Sequence, residues 1–364
     1  MHFHNRPQCY GGNTMRAMQI VEFGKPLQLN TYADPAPSGS EVIVRILSSG
    51  VCHSDLHLWE GFFDLGGGQK LEVTNRGMTL PHTLGHEIAG EVVAVGPDAK
   101  DVRVGQRFVV FPWIGCGQCA ACQAGDELLC AAPRTLGTRR DGGYATHVVV
   151  PHPKYLVDHG NTPIELACTY ACSGLTAYSA IRKTETVKNR KRLLLVGAGG
   201  VGMAGLEVAK AIFDGEIIVA DIDDKKLQTA KEHGAHDVVN TRAEGALARL
   251  QQQTGGGVCS AVDFVGAAAS FRFGFDALRR GGKIVIVGLF GGDAPFAPIA
   301  MPFKMAAIEG SYVGDLPEFH ELMALVRAGK IGPMPYATRP LEAANDVLEE
   351  LRGGKVVGRV VLRP

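Results

Sequence analysis

Several features are scarce in this chain of 364 residues, and each scarcity excludes a class of protein. The longest apolar stretch, residues 193–206, contains five glycines within 14 residues, whereas a membrane-spanning helix needs about 20 mostly apolar residues. The 37 Lys and Arg balance the 37 Asp and Glu, and no long run carries one sign of charge. We therefore expect neither a membrane nor a nucleic acid as a partner.

The chain is long enough for more than one domain, and its cysteines indicate the compartment. A chain with 46% hydrophobic and 20% charged residues predicts two globular domains, since one domain usually has roughly 100 to 200 residues. Residues 1–14 are polar, lack the apolar core of a secretory signal, and predict a loose tail before a second possible start at Met15. Nine cysteines, four of them within 15 residues, favour metal binding in a reducing compartment over disulfides. We expect the cytoplasm.

Two patterns of secondary structure divide the chain. Up to about residue 151, short strands such as 41–47 and 91–95 are broken by Gly and Pro turns, which predicts an irregular, mostly β domain. From about residue 174, apolar strands alternate with helical segments, which predicts a doubly wound parallel sheet and thus an α/β fold. Its predicted strands are 193–196, 216–220, 237–240, 261–265 and 283–287. A last helix, 341–352, and strand, 358–362, could return to the first domain.

A glycine-rich turn follows the first of these strands. It reads Gly197, Ala198, Gly199, Gly200, Val201, Gly202, where glycine permits a tight turn and the close approach of a pyrophosphate to backbone N–H groups. Asp221, 19 residues after Gly202, ends the next strand, where a carboxylate accepts hydrogen bonds from a ribose and repels a 2′-phosphate. The motif predicts NAD binding; the alternative is a purely structural turn with Asp221 as a helix cap.

Four cysteines form a compact lobe. They follow the pattern C-x2-C-x2-C-x7-C, and four thiolates this close together would enclose a tetrahedral zinc with no open position, which indicates a structural site. An iron-sulfur cluster and unrelated reduced thiols are the alternatives. The residues are Cys116, Cys119, Cys122 and Cys130.

Three further segments carry candidate ligands, namely Cys52, His86 and Cys172. Two thiolates and one imidazole would bind zinc and leave a fourth position open for substrate, as catalytic zinc sites require. Each residue alone is weak support, because a single Cys is more often a small core residue and a single His a satisfied polar group. The hypothesis depends on all three occurring with the cysteine lobe and the glycine turn.

Together these motifs resemble the medium-chain, zinc-dependent alcohol dehydrogenase family, in the family's order and from about residue 15 to 364, and are most similar to its bacterial and archaeal branch. The resemblance implies a GroES-like catalytic domain over 15–173 and 311–364 and a Rossmann domain over 174–310. It also implies NAD, a catalytic zinc on Cys52, His86 and Cys172, a structural zinc on the lobe, and a small alcohol, aldehyde or ketone as substrate.

The resemblance also assigns roles to single residues. Glu87 matches an acid near the metal, Asp55 the carboxylate that fixes the ligand imidazole, and Ser54 and His57 a path that carries the alcohol proton by way of the nicotinamide ribose to water. Without the resemblance, Ser54 and His57 would equally be a turn cap and an exposed histidine. The implied cofactor contacts are His53, Thr176, Val201, Lys226, Leu289 and Arg359, with His53 and Arg359 on the pyrophosphate.

An apolar pocket is predicted from nearby aromatic and aliphatic residues, although such residues more often serve packing. The candidates are Trp59, Phe62, Trp113, Leu289 and Phe290, and such a slot would suit medium-chain, cyclic or aromatic alcohols. The insert around residues 64–78 predicts a mobile loop near the pocket or a subunit contact. Alternatives are a polyol or formaldehyde-type zinc dehydrogenase, a non-enzymatic binding protein and a metal or redox sensor. The resemblance implies a homo-oligomer, with a tetramer favoured over a dimer.

Overall fold

The computed structural model describes residues 14–364, so the predicted tail lies outside the described residues except for Thr14, which begins the first strand. The first half is rich in strands, because β-branched runs such as that of β3 are buried on both faces. Its strands are β1 (Thr14–Ile20), β2 (Gln28–Ala33), β3 (Val42–Val51), β4 (Phe62–Gly66), β5 (Gln69–Glu72), β6 (His82–Thr83), β7 (Glu87–Val95), β8 (Arg107–Val110), β9 (His147–Val150) and β10 (Leu156–Val157). Its helices are α1 (His53–Glu60), α2 (Ala120–Gln123), α3 (Ile164–Ala167) and α4 (Ser173–Lys183).

The second part is a parallel sheet between helices. Its strand order is β13-β12-β11-β14-β15-β16, and every neighbouring pair is parallel. The order reverses between β11 and β14, and in such sheets ligands bind at the carboxyl ends of the strands at this point. The elements are β11 (Arg192–Val196), α5 (Gly200–Ile212), β12 (Glu216–Asp221), α6 (Asp224–Glu232), β13 (Asp237–Asn240), α7 (Ala246–Gln253), β14 (Val258–Asp263), α8 (Ala268–Ala277), β15 (Leu278–Ile286), α9 (Ala300–Lys304) and β16 (Ala307–Gly310).

The C-terminal residues return to the first part. They form α10 (Leu316–Arg327), β17 (Tyr336–Pro340), α11 (Ala344–Arg352) and β18 (Arg359–Arg363). β18 pairs with β3, which gives the mixed sheet β10-β8-β7-β3-β18-β17, with β9 also on β3, and a second sheet has the order β2-β1-β6. Short 3₁₀ turns are Thr74–Arg76, Glu127–Leu129, Pro153–Tyr155, Cys168–Ala171, Thr184–Thr186 and Leu341–Ala343. Within residues 14–364, every helix is too short or too polar to span a bilayer.

The structure corrects the bounds of several predicted elements. The predicted strands 91–95 and 283–287 are the ends of the longer strands β7 and β15, and the helix predicted from residue 341 begins with a 3₁₀ turn. The insert, for which the sequence predicts a mobile loop or a subunit contact, forms the hairpin β4–β5 followed by another 3₁₀ turn. A Cβ on Gly66 would lie 2.6 Å from the backbone N of Asp293, so the hairpin turn rests directly on the loop after β15. The insert therefore bridges the two parts of the molecule.

Candidate active site and metal centres

One cavity of about 1120 Å³ lies between the mixed sheet and the parallel sheet. Its wall includes Cys52 and His57 from the first part and Gly199 and Asp221 from the second. The structure thus brings the predicted metal ligands and the predicted dinucleotide turn into one cleft.

The three predicted catalytic ligands meet at the inner end of this cleft. The Cys52, His86 and Cys172 side chains are buried, and their ligand atoms all lie within 4.8 Å of one another. The two sulfurs are 4.0 Å apart, close to the edge of about 3.8 Å expected for a tetrahedron with Zn–S bonds of about 2.3 Å. A hydrogen bond with Cys172 lowers the pKa of Cys52 well below its usual range. The donor set fits a zinc with one open position.

Residues behind the ligands fix their orientation. His86 Nδ1 lies 3.3 Å from Asp55 Oδ1, so the other ring nitrogen, Nε2, faces the ligand cluster. Asp55 Oδ2 accepts hydrogen bonds from the Cys52 backbone N and from the Tyr144 hydroxyl, both at 2.9 Å. Asp55 and Tyr144 are completely buried, so Asp55 lies where its predicted role requires. Tyr144 is a supporting residue that sequence reasoning missed, since nothing in its local pattern distinguishes it from a core aromatic residue.

Glu87 forms a buried ion pair with Arg359 below the ligand cluster. Its Oε2 accepts from Arg359 Nη2, and its Oε1 accepts from the Ser173 backbone N at 3.1 Å. Burial raises the pKa of Glu87, while the Arg359 charge opposes that shift. Residue 50 must be glycine here, because a Cβ would lie 1.9 Å from Glu87 Oε2. Arg359 also contacts the glycine turn, since a Cβ on Gly200 would lie 2.8 Å from Arg359 Cδ.

Ser54 and His57 lie on the cavity side of α1. Ser54 Oγ is 3.4 Å from His86 Nε2, beside the predicted metal position. His57 follows at i+3, on the same face of the helix, and its Nε2 is buried without a hydrogen-bond partner in the described part of the chain. Burial, together with the nearby His53, lowers the pKa of His57 to about 4. Both side chains therefore lie where a proton path from the ligand cluster would begin.

The glycine turn has the shape of a pyrophosphate cradle. Gly197 has a positive φ of 98°, and a Cβ on Gly202 would lie 1.8 Å from the Gly197 carbonyl oxygen. The backbone N–H groups at the start of α5 face the cavity and would bind an anion. Asp221 accepts hydrogen bonds from Ala198 N at 2.6 Å and Ile222 N at 2.7 Å, which holds its carboxylate at the end of β12.

The remaining predicted cofactor residues also line the cavity, namely His53, Thr176, Val201, Lys226, Leu289 and Arg359. Thr176 Oγ1 is buried and has no hydrogen-bond partner among residues 14–364, and neither has the nearby Ser311 Oγ. Two unsatisfied hydroxyls in a cleft fit a polar group such as a carboxamide. The sequence pattern gave no signal for Ser311, which lies just beyond the last parallel strand.

The predicted substrate pocket is partly wrong. Trp113, Leu289 and Phe290 line the cavity, and Phe290 stacks on His53 with ring centroids 5.9 Å apart. Trp59 instead packs in the core beside α11, where its Nε1 donates to the Lys25 carbonyl at 2.6 Å, and Phe62 lies under the Lys70 ammonium. The geometry of α1 and of the β4–β5 hairpin directs these two rings away from the cavity, and their neighbours Leu58 and Phe63 line it instead. Among the lining residues that the sequence did not predict are Leu58, Phe63, Val73, Arg76, Arg139 and Tyr312.

The cysteine lobe forms a second, separate group of residues that could hold a metal. Its four sulfurs lie within 4.8 Å of one another, with Cys116–Cys122 at 4.0 Å and Cys119–Cys130 at 3.7 Å. Backbone N–H groups of the same segment donate to them, including Cys119 N to Cys116 Sγ at 3.3 Å. Glu127 anchors the lobe, because it accepts from Gly115 N and from the Tyr155 hydroxyl, both at 2.8 Å. The set fits a closed, structural zinc.

Comparisons with known proteins agree with this geometry. Residues 38–159 match the alcohol dehydrogenase GroES-like domain, and residues 200–328 match the zinc-binding dehydrogenase domain. The NAD-dependent alcohol dehydrogenases of Sulfurisphaera tokodaii and Saccharolobus solfataricus are 39% and 38% identical, each over 96% of this chain and 100% of the relative. An alcohol dehydrogenase structure from Aeropyrum pernix has a TM-score of 0.86 at 32% identity, covering 96% of this chain and 100% of its own.

These matches confirm the predicted α/β class with its GroES-like and Rossmann-type parts. The two relatives cover 96% of the chain. The two domain matches include most of the metal ligands and the glycine turn from residue 200 onward, while Cys172 and residues 197–199 lie between the two matches. The chain therefore belongs to the medium-chain, zinc-dependent alcohol dehydrogenase family.

Proposed function

We propose that this protein catalyses NAD-linked interconversion of a primary or secondary alcohol and its aldehyde or ketone, with a medium-chain, cyclic or aromatic group in an apolar pocket. Zinc-dependent alcohol dehydrogenase is the enzyme class of the family, and its relatives are named as NAD-dependent. The observation that carries the proposal is the single cleft in which the Cys52, His86 and Cys172 set faces the glycine turn.

Each residue around the ligand cluster has a separate role in the proposed reaction. A zinc held by Cys52, His86 and Cys172 would supply Lewis acidity that lowers the pKa of a hydroxyl at its open position. Ser54 Oγ, 3.4 Å from His86 Nε2, is placed to accept the proton of the alcohol. Burial lowers the pKa of His57 to about 4, so its imidazole is neutral at neutral pH and would hold a transferred proton only briefly before passing it on. Trp113 covers His86, with ring centroids 5.3 Å apart, and excludes water.

Three further properties belong to the proposal. The two ligand sets support two zincs per chain, one catalytic and one structural. A homo-oligomer is supported by exposed apolar residues beside the edge strand β16, namely Ile299, Phe303 and Met305, and the preference for a tetramer over a dimer rests on the family resemblance. Eight unpaired cysteines among residues 14–364 support a reducing, cytoplasmic location. Metal analysis, sedimentation and cell fractionation test these three properties in turn.

A substrate panel tests the main proposal. NAD reduction by the zinc-loaded protein is measured with hexanol, cyclohexanol and benzyl alcohol, and with methanol, sorbitol and glutathione-trapped formaldehyde. We expect the highest kcat/KM among the first three and a preference for NAD over NADP, because the Asp221 carboxylate repels a 2′-phosphate. Faster turnover of sorbitol or trapped formaldehyde would favour the polyol or formaldehyde-type alternative, and no turnover of any alcohol would overturn the proposed activity.

A further inference from the structure

Two arginines on the wall of the cleft have no part in the mechanism above. Arg76 ends the 3₁₀ turn that follows the β4–β5 hairpin, and Arg139 lies in the loop between the cysteine lobe and β9. Both line the cavity and are partly buried. Sequence reasoning gave neither of them a role.

The two guanidinium groups line the same cavity without a carboxylate partner among the described residues. Within residues 14–364, neither side chain takes part in an ion pair or in a side-chain hydrogen bond. Partial burial, and then the positive charge of Arg76, lowers the pKa of Arg139. Two neighbouring cations that are partly removed from water repel each other, and an anion between them would relieve that repulsion.

Two sets of ring contacts lead from the surroundings of the ligand cluster toward this pair. On one side, Trp113 contacts His86 at 5.3 Å and Tyr312 at 5.8 Å between ring centroids, and Tyr312 and Arg139 line the same cavity. On the other side, Phe63 contacts His57 at 5.0 Å, and the Arg76 guanidinium lies 5.7 Å from the Phe63 ring centroid. The cavity wall therefore passes from the metal position through an apolar stretch to a cationic end.

We propose that Arg76 and Arg139 together bind a carboxylate of the substrate. This inference rests on the proposed function and narrows its substrate class to hydroxy acids, and the matching aldehyde or keto acids, in which an apolar ring or chain separates the carbinol from the carboxylate. Guanidinium groups suit this role because their paired N–H donors match both carboxylate oxygens. The apolar stretch between the two ends would contact the ring or chain.

Matched substrates and matched variants test this inference. The kcat/KM for NAD-linked oxidation is measured for para-hydroxymethylbenzoate and its methyl ester, and for ω-hydroxycarboxylates of increasing length beside the corresponding alcohols. The variants are Arg76→Gln, Arg139→Gln and, as a control, Arg140→Gln, because Arg140 lines a different, smaller cavity. A readout that does not depend on turnover of a hydroxy acid is competitive inhibition of cyclohexanol oxidation by benzoate.

We expect the native protein to prefer the acid over the ester. Arg76→Gln and Arg139→Gln should each lower kcat/KM for the acid about 10- to 100-fold, mainly through KM, since a hydrogen bond to a charged group is worth about 1.5 to 3 kcal/mol. The ester should change less than about threefold, benzoate inhibition should weaken in parallel, and Arg140→Gln should behave like the native protein. Added salt should reduce the preference for the acid.

Other outcomes separate the two proposals. If the native protein oxidises the ester and simple alcohols but shows no preference for any acid, or if Arg139→Gln affects acid and ester equally, the carboxylate site is overturned while the alcohol dehydrogenase activity stands. If the native, zinc-loaded protein oxidises none of these compounds, the proposed function itself fails.

Discussion

The two candidate metal sites of this molecule arrange their cysteines in different ways. The lobe takes its four ligands, Cys116, Cys119, Cys122 and Cys130, from one segment of 15 residues, and most of them are partly exposed. The cleft takes Cys52, His86 and Cys172 from three distant segments, and all three are buried. A set of four thiolates leaves no room for chemistry, whereas a buried set of three leaves one position for a substrate.

The supporting contacts differ in the same way. In the lobe, backbone N–H groups of the ligand segment itself donate to the sulfurs. In the cleft, Asp55 and Tyr144 from separate elements orient His86. The lobe is therefore organised locally, while the cleft depends on the packing of the whole domain. Loss of a ligand should therefore act mainly on catalysis in the cleft and mainly on stability in the lobe.

Removal of a cleft ligand should abolish activity and leave the fold intact. We expect Cys52→Ser to lower kcat/KM for alcohol oxidation by at least about 1000-fold, because the Lewis acid supplies several kcal/mol of transition-state stabilisation. Metal analysis should show the loss of one zinc. Cys259→Ser is the control, since that buried thiol donates to the Arg192 carbonyl and a hydroxyl would also do so. Normal alcohol oxidation by Cys52→Ser would refute the catalytic assignment.

Removal of a lobe ligand should have the reverse effect. We expect Cys119→Ser to lower the free energy of unfolding by about 4 kcal/mol, as loss of a structural metal ranks among the most damaging substitutions, and Tm by roughly 5 °C. The folded fraction should retain kcat within about threefold. Calorimetry and kinetics on the same preparation check both statements, and an unchanged Tm would show that the lobe does not stabilise the fold.

Two tyrosine variants compare the supporting contacts. Tyr144→Phe removes the hydroxyl that donates to Asp55, and Tyr155→Phe removes the one that donates to Glu127. We expect Tyr144→Phe to weaken zinc binding in the cleft about 10-fold, because residues behind metal ligands typically contribute that much, and to leave the lobe unchanged. Tyr155→Phe should weaken only the lobe. Zinc release to a chelator measures both sites, and equal effects of the two variants at one site would contradict the separation.

The pH dependence of stability should report on His57. Because burial lowers its pKa in the folded protein to about 4, below the ordinary value of about 6.5, the unfolded chain binds the proton more tightly. This group therefore lowers stability as pH falls from about 6.5 to about 4, and has no further effect below that range. His57→Gln should flatten this part of the profile, whereas substitution of the exposed His152 should not. Unfolding curves at several pH values provide the measurement, and an unchanged slope would contradict the assignment.

Sequence reasoning was most successful where structure depends on neighbours along the chain. The glycine turn before α5 and the cysteine lobe lie where their spacing predicted, because a tight turn and a four-thiolate loop are local arrangements. Predicted strand centres were also right, while several ends were wrong, since the ends of β7 and β15 depend on pairing with neighbouring strands.

Pocket residues were the least predictable. Trp59 and Phe62 are aromatic residues of the kind that line substrate pockets, but Trp59 packs in the core and Phe62 lies on the surface of the hairpin. Phe63, the residue after Phe62, lines the cavity instead. Adjacent residues in a strand point to opposite faces, so a single step in register decides which ring meets the substrate.

The class of fold, the two ligand sets and the dinucleotide turn could be read from the amino-acid sequence, because each rests on residue chemistry or on local spacing. The folded structure alone shows that the ligand atoms of Cys52, His86 and Cys172 lie within 4.8 Å of one another and that Tyr144 supports Asp55. The same is true of the placement of Arg76 and Arg139 in the wall of one cavity. These contacts join segments far apart in the chain, and their geometry follows from strand pairing and helix packing that no local pattern encodes.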